Sequence, residues 1–457
     1  MTLRTRRCIF YSFILIFIVV GVSVIFYSQG WRLVANCKIA ELQNCKIEFQ
    51  KTGAVFIETS PKGAEIKING KIFKDKSGLL QSGTFIDNFL PKNYKIEIKK
   101  DGYLAWQKNL SVKSGMVAET GKIILIPEKI SPQPVSTSKN AAVFWEKGNK
   151  FVFSNGDALY YPGQGEPAKL KGNSFIAWSE DGSKFITKDT AILIYYFYDA
   201  NNISKTTNLN STFNNLSKTS ISEIIFHPAD SNKLVIKAKN GALYILDLNR
   251  LTIETVTQKI TVSFAVKNPN ILYVSGSEIR SFNLLLKTDD LRFKLSKELT
   301  EQKISEIYSN GNAIFVLFQN GGLYIFNQQN PTGLKIAGSI KKSVVSPDNK
   351  KLAFWDNNYE LNIYFIEDYQ TEIVKKSGDI TVLNAYRESG IKNVFWYKDS
   401  RYLLVETIGN TVNFIEIDDR QLINEYTLSE NSSNLHYEQN SNRLYFIREN
   451  KIYFVEI

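Results

Sequence analysis

The stretch VVSPDNKKLAFWDNNYELNIYFIED, residues 344–368, decides the fold, because the chain repeats its pattern as VFWYKDSRYLLVETIGNTVNFIEIDD at residues 394–419. Each copy has an apolar run, a turn with an aspartate and a basic residue, a second apolar run, and a third run that ends in acid. Short apolar runs with many aromatic and β-branched residues, separated by polar turns, are typical of β-strands. The repeat therefore predicts an array of similar β-units.

The pattern recurs in eight units, which start near residues 142, 175, 222, 262, 304, 342, 392 and 435. The mean step is about 42 residues, the period of four-stranded propeller blades. The segments Trp178–Phe185 (WSEDGSKF) and Val345–Phe354 (VSPDNKKLAF) resemble the blades of Trp-Asp-repeat-like propellers, particularly the TolB-like kind. The resemblance implies a β-propeller, and the number of units predicts eight blades, with seven left open because segment 195–220 is irregular.

The eighth unit reaches Ile457 after its third strand. A blade left in that state would expose an unpaired strand edge at the seam of the ring. The segment PQPVSTS, just before the first unit, is positioned to supply the missing strand. We therefore predict that residues 132–138 close the propeller.

The first thirty residues have a different character. Residues 1–7 are basic, and residues 8–27 are twenty residues without a charge or a proline. A helix of that length spans about 30 Å, the thickness of a bilayer core. A cleaved signal peptide is the alternative, with Ser28 and Gly30 as a weak cleavage site, but its apolar region is usually shorter. We expect a signal anchor with Arg4, Arg6 and Arg7 in the cytoplasm and residues 31–457 outside it.

A small β domain is predicted at residues 53–127. Pro61 and Gly63 favour a tight turn, and Asn69-Gly70 and Asp101-Gly102 favour hairpins. The segment resembles the PEGA domain, a small β-sandwich of surface and envelope proteins, through Pro61, Gly63, Ala64, Leu90, Pro91, Tyr94, Ile96, Gly102, Tyr103 and Trp106.

Two positions depart from the PEGA pattern. Lys62 replaces the glutamate, and Asn93 stands where glycine is usual, with a turn expected to survive because asparagine tolerates positive φ. The resemblance implies an extracytoplasmic module without catalysis. We expect Tyr94, Tyr103 and Trp106 to belong to its core and not to a platform that stacks sugars.

The sequence thus predicts an all-β protein with one transmembrane helix, a PEGA-like sandwich and a seven- or eight-bladed propeller. The expected segments are a cytoplasmic stub (1–7), the transmembrane anchor (8–27), a juxtamembrane segment (28–52), the sandwich (53–127), a linker with the closing strand (128–140) and the propeller (141–457).

Charge and cysteine content restrict the partners. The net charge is +11, but the lysines are scattered along strand faces. The sequence has no dense basic patch with interleaved aromatics of the kind that binds nucleic acid, so no nucleic-acid partner is predicted. Cys37 and Cys45 form either a short disulfide loop or two free thiols, and their spacing does not decide. No histidine lies near them, and no metal site is predicted.

The sequence carries no recognisable catalytic centre. His227 and His436 are interpreted as turn residues of units three and eight, and Asp247, Asp418 and Asp419 as solvated ends of third strands. Serine-hydrolase, phosphate-loop, zinc and calcium-loop motifs are absent from the sequence. We expect no catalytic, cofactor-binding or metal residue, no cofactor, and packing roles for Tyr160, Tyr244, Tyr324 and Tyr453.

The leading functional hypothesis is a non-enzymatic envelope scaffold or receptor in the cell membrane that binds a partner protein through its propeller. The alternative is an attachment protein for cell-wall or surface-layer polysaccharide. An extracytoplasmic hydrolase with channel carboxylates is the least favoured. The sequence names no binding residue for any of these functions.

Overall fold

The computed structural model describes residues 3–36, 46–78, 81–135, 140–162, 166–210 and 221–457. It is built of β-strands apart from an N-terminal helix and one helical turn, Lys297–Thr300, which confirms the predicted fold class. The chain forms two compact units. Unit 1 comprises residues 1–129, 368–376 and 418–424, and unit 2 comprises residues 130–367, 377–417 and 425–457. Cys37 and Cys45, which were considered for a disulfide, lie outside the described residues.

Unit 1 begins with helix α1 (Leu3–Ser28), followed by the hairpin of β1 (Trp31–Asn36) and β2 (Lys46–Lys51). One sheet has the order β6-β3-β9 and the other β5-β4-β7-β8. Their strands are β3 (Gly53–Ser60), β4 (Glu65–Ile68), β5 (Lys71–Phe73), β6 (Thr84–Phe89), β7 (Lys92–Lys99), β8 (Trp106–Val112) and β9 (Val117–Ile124).

Both sheets of unit 1 contribute to one hydrophobic core. Val55 of β3 packs there with Ile96 of β7, and Tyr94 and Trp106 are buried in the same cluster while Tyr103 packs against it. The expectation that these aromatic residues belong to the core is confirmed. Asn93, expected in a turn, lies instead within strand β7. The positive φ nearby belongs to Asn88 of β6, at the register shift between β6 and β3.

Asp75 holds the Pro61–Ala64 turn of unit 1 in place. Its carboxylate accepts hydrogen bonds from the Gly63 amide (2.7 Å), the Ser77 amide (2.8 Å) and the hydroxyls of Ser77 and Thr84. Burial by itself would raise the pKa of this carboxyl, but the hydrogen bonds outweigh burial and lower the pKa to about 2.

The described residues of unit 2 form eight four-stranded antiparallel sheets, which we number as blades 1 to 8. Blades 1 and 2 consist of β11 (Val143–Lys147), β12 (Lys150–Ser154), β13 (Leu159–Tyr161), β14 (Ala168–Lys169), and β15 (Ser174–Trp178), β16 (Lys184–Asp189), β17 (Ile194–Asp199), β18 (Asn202–Asn208). Blades 3 and 4 consist of β19 (Ile221–His227), β20 (Asp230–Ala238), β21 (Leu243–Asp247), β22 (Thr252–Thr257), and β23 (Thr261–Lys267), β24 (Asn270–Ser275), β25 (Glu278–Asn283), β26 (Asp289–Lys294).

Blades 5 and 6 consist of β27 (Ile304–Asn310), β28 (Ala313–Phe318), β29 (Leu323–Phe326), β30 (Leu334–Ala337), and β31 (Ile340–Val345), β32 (Lys351–Asp356), β33 (Glu360–Phe365), β36 (Ile380–Ala385). Blades 7 and 8 consist of β37 (Ile391–Trp396), β38 (Tyr402–Thr407), β39 (Val412–Glu416), β40 (Glu425–Ser429), and β41 (Ser433–Glu438), β42 (Arg443–Arg448), β43 (Lys451–Glu456), β10 (Gln133–Pro134). The short hairpin of β34 (Tyr369–Gln370) and β35 (Val374–Lys375) belongs to unit 1.

Blade 8 combines the two ends of unit 2. Strand β10 pairs with β43 through Gln133 opposite Phe454 and Pro134 opposite Tyr453, and the Val135 amide donates to the Ile452 carbonyl at 2.9 Å. The sheet therefore takes its fourth strand from the segment that precedes blade 1, within the range 132–138 given by the sequence.

First strands of neighbouring blades lie side by side, so they form the inner wall of the propeller. Apolar side chains fill the space between consecutive blades. Val235 and Ile245 of blade 3, for example, pack with Phe264 and Tyr273 of blade 4. Tyr160, Tyr244 and Tyr324 are the second residues of the third strands of blades 1, 3 and 5, and each packs against a hydrophobic cluster. Tyr453 is the third residue of the third strand of blade 8 and stacks on Phe446. All four are half-buried, in agreement with a packing role.

The turns that carry the repeat share one hydrogen-bond pattern. In blade 6 the Ser346 hydroxyl donates to Asp348 and accepts from the Lys351 amide (2.9 Å), and the Lys350 amide donates to Asp348 (3.0 Å). In blade 2, Ser179 and Asp181 make the same contacts. Serine and aspartate side chains that bond to the backbone stabilise such tight turns. This chemistry explains why the Ser-x-Asp letters identify the turn between first and second strands.

A second recurring contact joins one blade to the next, and we call it the inter-blade clasp. A carbonyl in the loop between the second and third strands accepts from an amide at the start of the following blade. The pairs are Gly241 with Thr261 (3.0 Å), Gly321 with Ile340 (2.9 Å), Asn410 with Ser432 (2.8 Å) and Asn450 with Ala141 (2.8 Å). All four acceptors have positive φ, which glycine and asparagine tolerate best.

Candidate interaction surface at one mouth of the channel

Five consecutive blades have a β-bulge at the same point of their inner strand. In blades 3 to 7 the register between the first and second strands shifts at the second residue of the first strand. The residues without a partner across the strand are Ser222, Val262, Ser305, Lys341 and Lys392, and all are exposed. A bulge leaves its extra residue outside the ladder and re-aims the side chain.

Each bulge lies in a four-residue segment at the start of the first strand. The segments read ISEI (221–224), TVSF (261–264), ISEI (304–307), IKKS (340–343) and IKNV (391–394). The fourth residue is buried in every blade, whereas the second is exposed. We use the name bulge ring for the second and third residues of these five segments. The ring follows blades 3 to 7 along one mouth of the propeller channel, because the first strands form the inner wall.

The charges of the bulge ring are separated around the mouth. Glu223 and Glu306 lie on blades 3 and 5, whereas Lys341, Lys342 and Lys392 lie on the adjacent blades 6 and 7. We call these three lysines the basic arc. Its members differ in their contacts: Lys341 Nζ lies 3.7 Å from the centroid of the Tyr359 ring, a cation–π distance.

Polar contacts fix the other two lysines of the basic arc. Lys342 Nζ donates to Asn393 Oδ1 at 3.0 Å, which links blade 6 to blade 7. Lys392 Nζ lies 2.7 Å from Glu406 Oε1, and the side chain of Lys392 is 44% exposed while that of Glu406 is fully buried. The ammonium groups therefore have ordered positions and remain accessible from the mouth.

Glu406 supports the basic arc from beneath. Besides Lys392, its carboxylate accepts from Asn393 Nδ2 (3.0 Å) and from the Asn434 amide of blade 8 (2.8 Å). A buried carboxylate is stable only when it is paired and hydrogen-bonded, and this one is. Its oxygens accept three donors, so the carboxylate connects blades 7 and 8 beneath the basic arc.

The acidic side of the ring has a different environment. Glu223 is accessible to solvent, but desolvation by the surrounding wall raises the pKa of its carboxyl, against the opposing effect of Lys237. Lys237 Nζ donates to the Val262 carbonyl at 2.9 Å and so connects blades 3 and 4. Beside this bond the surface is apolar, because Ile260 is 70% and Val262 51% exposed.

The two histidines occupy different environments, which corrects the prediction that both are turn residues. His227 ends β19 beside the turn, where burial lowers the pKa of its imidazole. His436 lies inside β41, with Nε2 2.9 Å from Oε2 of the buried Glu146 of blade 1. A strand-to-strand contact across the blade 8–blade 1 seam cannot be inferred from neighbours in sequence.

Asp418 also differs from its prediction as a solvated residue. It is buried in unit 1, where Arg420 Nη2 lies 2.5 Å from its carboxylate. The fully buried Lys108 donates from Nζ to the Asp418 and Arg420 carbonyls at 3.0 Å each. Asp247 and Asp419, by contrast, keep partial exposure.

Sequence reasoning named no binding residue and missed the bulge ring. ISEI occurs twice at equivalent positions, but the segments TVSF, IKKS and IKNV of the other three blades do not share one letter pattern with it, so the sequence carries no common signal. Among the described residues no group of three or more histidine, cysteine or acidic side chains is arranged to hold a metal ion.

Comparison with known proteins finds propellers at low sequence identity. The β-propeller domain of Myceliophteria thermophila Cps50 (Swd1) is 11% identical, with 72% of this chain and 100% of that one covered and a TM-score of 0.41. The C-terminal WD40 domain of Sif2 is 12% identical, with 71% of this chain and 98% of that one covered and a TM-score of 0.47. BamB from Moraxella catarrhalis is 13% identical, with 71% of this chain and 99% of that one covered and a TM-score of 0.46. No family model and no curated protein matches the chain.

Proposed function

We propose that this protein is a membrane-anchored, non-enzymatic envelope scaffold or receptor that binds a partner protein at the bulge ring of its extracytoplasmic propeller. The observation that carries the proposal is the ring itself. Five successive blades turn the second residue of their inner strand out of the ladder and towards solvent at one mouth. Bulges are local departures from regular pairing that commonly re-aim side chains beside functional sites.

Helix α1 supports the proposed location. Among the described residues it is the helix long and apolar enough to cross a bilayer, a property that membrane anchors and signal sequences share. Its length exceeds the usual apolar region of a cleaved signal, and Arg4, Arg6 and Arg7 precede its apolar part. Positive charges flanking a span favour the cytoplasmic side, which supports the proposal that both units lie outside the cytoplasm.

The ring also suggests the chemistry of the partner. The basic arc suits aspartate or glutamate side chains, and Ile260 with Val262 suits an apolar group on the other side of the mouth. Such a combination of complementary charge and a small apolar contact is typical of protein interfaces. The buried positions of Tyr94 and Trp106 remove them as stacking groups for polysaccharide. The PEGA resemblance remains a prediction that agrees with an envelope location.

Site-specific photocrosslinking tests this function. The full-length chain would carry a photoreactive residue at Ser305 or Lys342 in the bulge ring, or at the exposed Asn201 in the turn that follows the third strand of blade 2. We expect the two ring positions to crosslink one envelope protein in living cells and Asn201 not to do so. Crosslinks from Asn201 alone would place the interface elsewhere on the propeller.

Charge reversal supplies the quantitative arm. The double substitution K341E/K342E should weaken capture of the crosslinked protein by about tenfold or more, because it places like charges against the acidic partner. The matched control K350E/K398E reverses two exposed lysines in the turns between first and second strands and should leave capture unchanged. Retention of purified wall polymer by the same chain, with no crosslinked protein, would favour the polysaccharide alternative.

A further inference from the structure

We propose that the β1–β2 hairpin is a membrane-interface element, with Trp31, Leu33 and Phe49 seated in the headgroup region of the bilayer that α1 crosses. The inference rests on the proposed membrane anchor and goes beyond it, because it assigns a lipid-binding surface to a part of the chain outside the helix. We call these three residues the hairpin apolar face.

The aromatic surface of α1 is continuous with the hairpin at Phe26. The Phe26 ring contacts the hairpin at two points: its centroid lies 6.3 Å from that of Trp31 and 6.4 Å from that of Phe49. No part of the described chain buries the helix. A bilayer that covers Phe26 therefore also meets Trp31 and Phe49.

The register of β1 and β2 puts the apolar side chains on one face of the hairpin. Leu33 and Phe49 are direct cross-strand partners, so their side chains leave the same face of the hairpin, and Trp31 lies two residues before Leu33 on that face. Leu33 and Phe49 are each 64% exposed. Two large apolar side chains that face water together are unfavourable, and contact with lipid removes that penalty.

The polar face of the junction between α1 and β1 also has the residue types of a membrane interface. Arg32, adjacent to Leu33 and on the opposite face, donates from Nη1 to the Tyr27 carbonyl at 2.8 Å, and its guanidinium lies 3.7 Å from the centroid of the Tyr27 ring. Nη2 of Arg32 also bonds to Asn88 of β6. Tyrosine, tryptophan and arginine at the end of a span are characteristic of the headgroup layer, where their polar groups stay wet.

Lipid fits the hairpin apolar face better than a protein occupant does. A protein partner would have to cover Leu33 and Phe49 while leaving room for the bilayer around Phe26, and the Phe26 ring lies directly beside Trp31 and Phe49. The headgroup layer of a bilayer covers the rings of Phe26, Trp31 and Phe49 together. The hairpin thus acts as a collar that fixes where α1 ends relative to the membrane surface.

The depth of Trp31 tests the inference. Full-length protein is reconstituted in phosphatidylcholine–phosphatidylglycerol vesicles with bromine atoms at defined acyl positions, which quench tryptophan by contact. The signal of Trp31 is the difference between the natural chain and Trp31→Phe. We expect quenching to be strongest with bromines near the headgroup. A Trp31 signal insensitive to every brominated lipid, in protein that stays in the vesicles after alkaline carbonate, would overturn the inference.

Matched variants separate the hairpin from the anchor. Leu33→Ser with Phe49→Ser should lower Trp31 quenching by about half or more while the chain stays in the membrane, because the hairpin then loses most of its apolar area. The control Ile72→Ser changes a comparably exposed apolar residue of β5 and should leave quenching unaltered. Equal quenching in the double variant would also overturn the inference. Release of the natural chain by carbonate would instead refute the anchor, and with it the collar.

Discussion

Single carboxylates organise turns in both units. Asp75 holds the Pro61–Ala64 turn of unit 1, and Asp181 and Asp348 do the same for the repeat turns of the propeller. In Asp181, hydrogen bonds from Ser179, Ser183 and Ser231 overcome the opposing effect of burial and lower the pKa to about 2. Each such carboxylate stabilises its unit only while it is ionised, so these residues should determine the acid limit of the fold.

Asp75→Asn tests this at one residue. Its folded-state pKa lies below the unfolded value, so its stabilisation is complete above about pH 4 and is lost as pH falls towards about 2. The substitution should reduce the free energy of unfolding of unit 1 by roughly 1–2 kcal/mol at pH 6, after allowance for solvent screening, and by much less near pH 2. Urea midpoints measured across this pH range give the difference.

The exposed turn residue Asp101 is the matched control for Asp75. Asp101→Asn should leave both the midpoint and its pH dependence nearly unchanged, because surface substitutions usually have small effects. If D75N and D101N showed the same pH profile, the hydrogen bonds to Asp75 would not contribute to acid stability.

Glu406 offers a second test at residue scale. Glu406→Gln removes the buried charge beneath the basic arc and leaves Lys392 without its ion-pair partner, with an expected loss of about 1–3 kcal/mol in the free energy of unfolding. The double variant E406Q/K392M should recover much of that loss, since it removes both charges and keeps an amide oxygen that can accept from Asn393 and Asn434. A double variant no more stable than E406Q would show that the unpaired charge of Lys392 does not cause the loss.

Residue-level predictions from the sequence succeeded where the partners are local. The core positions of Tyr94 and Trp106 follow from alternation along their own strands, and the Ser346–Asp348 turn from its own letters. His436 and Asp418 were assigned wrongly because their partners, Glu146 and Lys108, lie about 300 residues away in the chain. Such contacts leave no trace in local spacing.

At the scale of elements, the clasp explains why certain loops need glycine. Gly241 has φ +88°, and a Cβ built there would lie 2.8 Å from the Thr261 amide nitrogen, the atom that donates to the Gly241 carbonyl. The short distance allows no side chain. The loop between second and third strands therefore serves both as a reversal and as a contact with the next blade.

Gly241→Ala should destabilise the propeller by about 2–4 kcal/mol, because it combines a positive-φ penalty with a steric clash at the clasp. Gly276→Ala is the control: it occupies the corresponding loop of blade 4 with φ +56°, and a Cβ there has nothing within 4 Å. It should cost about 1 kcal/mol from the backbone alone. Thermal unfolding, followed by near-ultraviolet circular dichroism, measures the loss of stability in both variants. Equal losses would show that the inter-blade clasp does not contribute to stability at Gly241.

The strands and their grouping by four could be predicted because hydrophobic alternation and turn chemistry are local and recur eight times. The bulges could not, since a bulge depends on register between two strands and one extra residue leaves the apolar pattern almost intact. For the same reason the candidate interaction surface, which consists of bulge residues, was invisible to motif searches.

At the scale of the whole molecule, ring closure depends on a two-residue strand. Val135, which follows β10, packs against the cluster between blades 8 and 1. Val135→Asp places a charge there and should increase amide exchange in blades 8 and 1 while blades 3 to 5 keep their protection. Ile192→Asp makes the same chemical change at an exposed site and should alter neither region. Uniformly faster exchange throughout the propeller would indicate that the blades unfold as one cooperative unit.

The composition of blade 8 also orders events during synthesis. Blades 1 to 7 are each built from one continuous stretch of chain, which in blade 6 also contains the β34–β35 hairpin, so each needs only a few dozen residues to have left the ribosome or the export channel. The eighth joins Gln133 to Phe454 across more than 300 intervening positions. The entropy lost in that joining grows only slowly with loop length, but the joining itself must wait until β43 has emerged. A nascent chain therefore carries an open arc of finished blades with an unpaired strand edge. Until β43 has emerged, chaperones or the export machinery must protect that edge from aggregation.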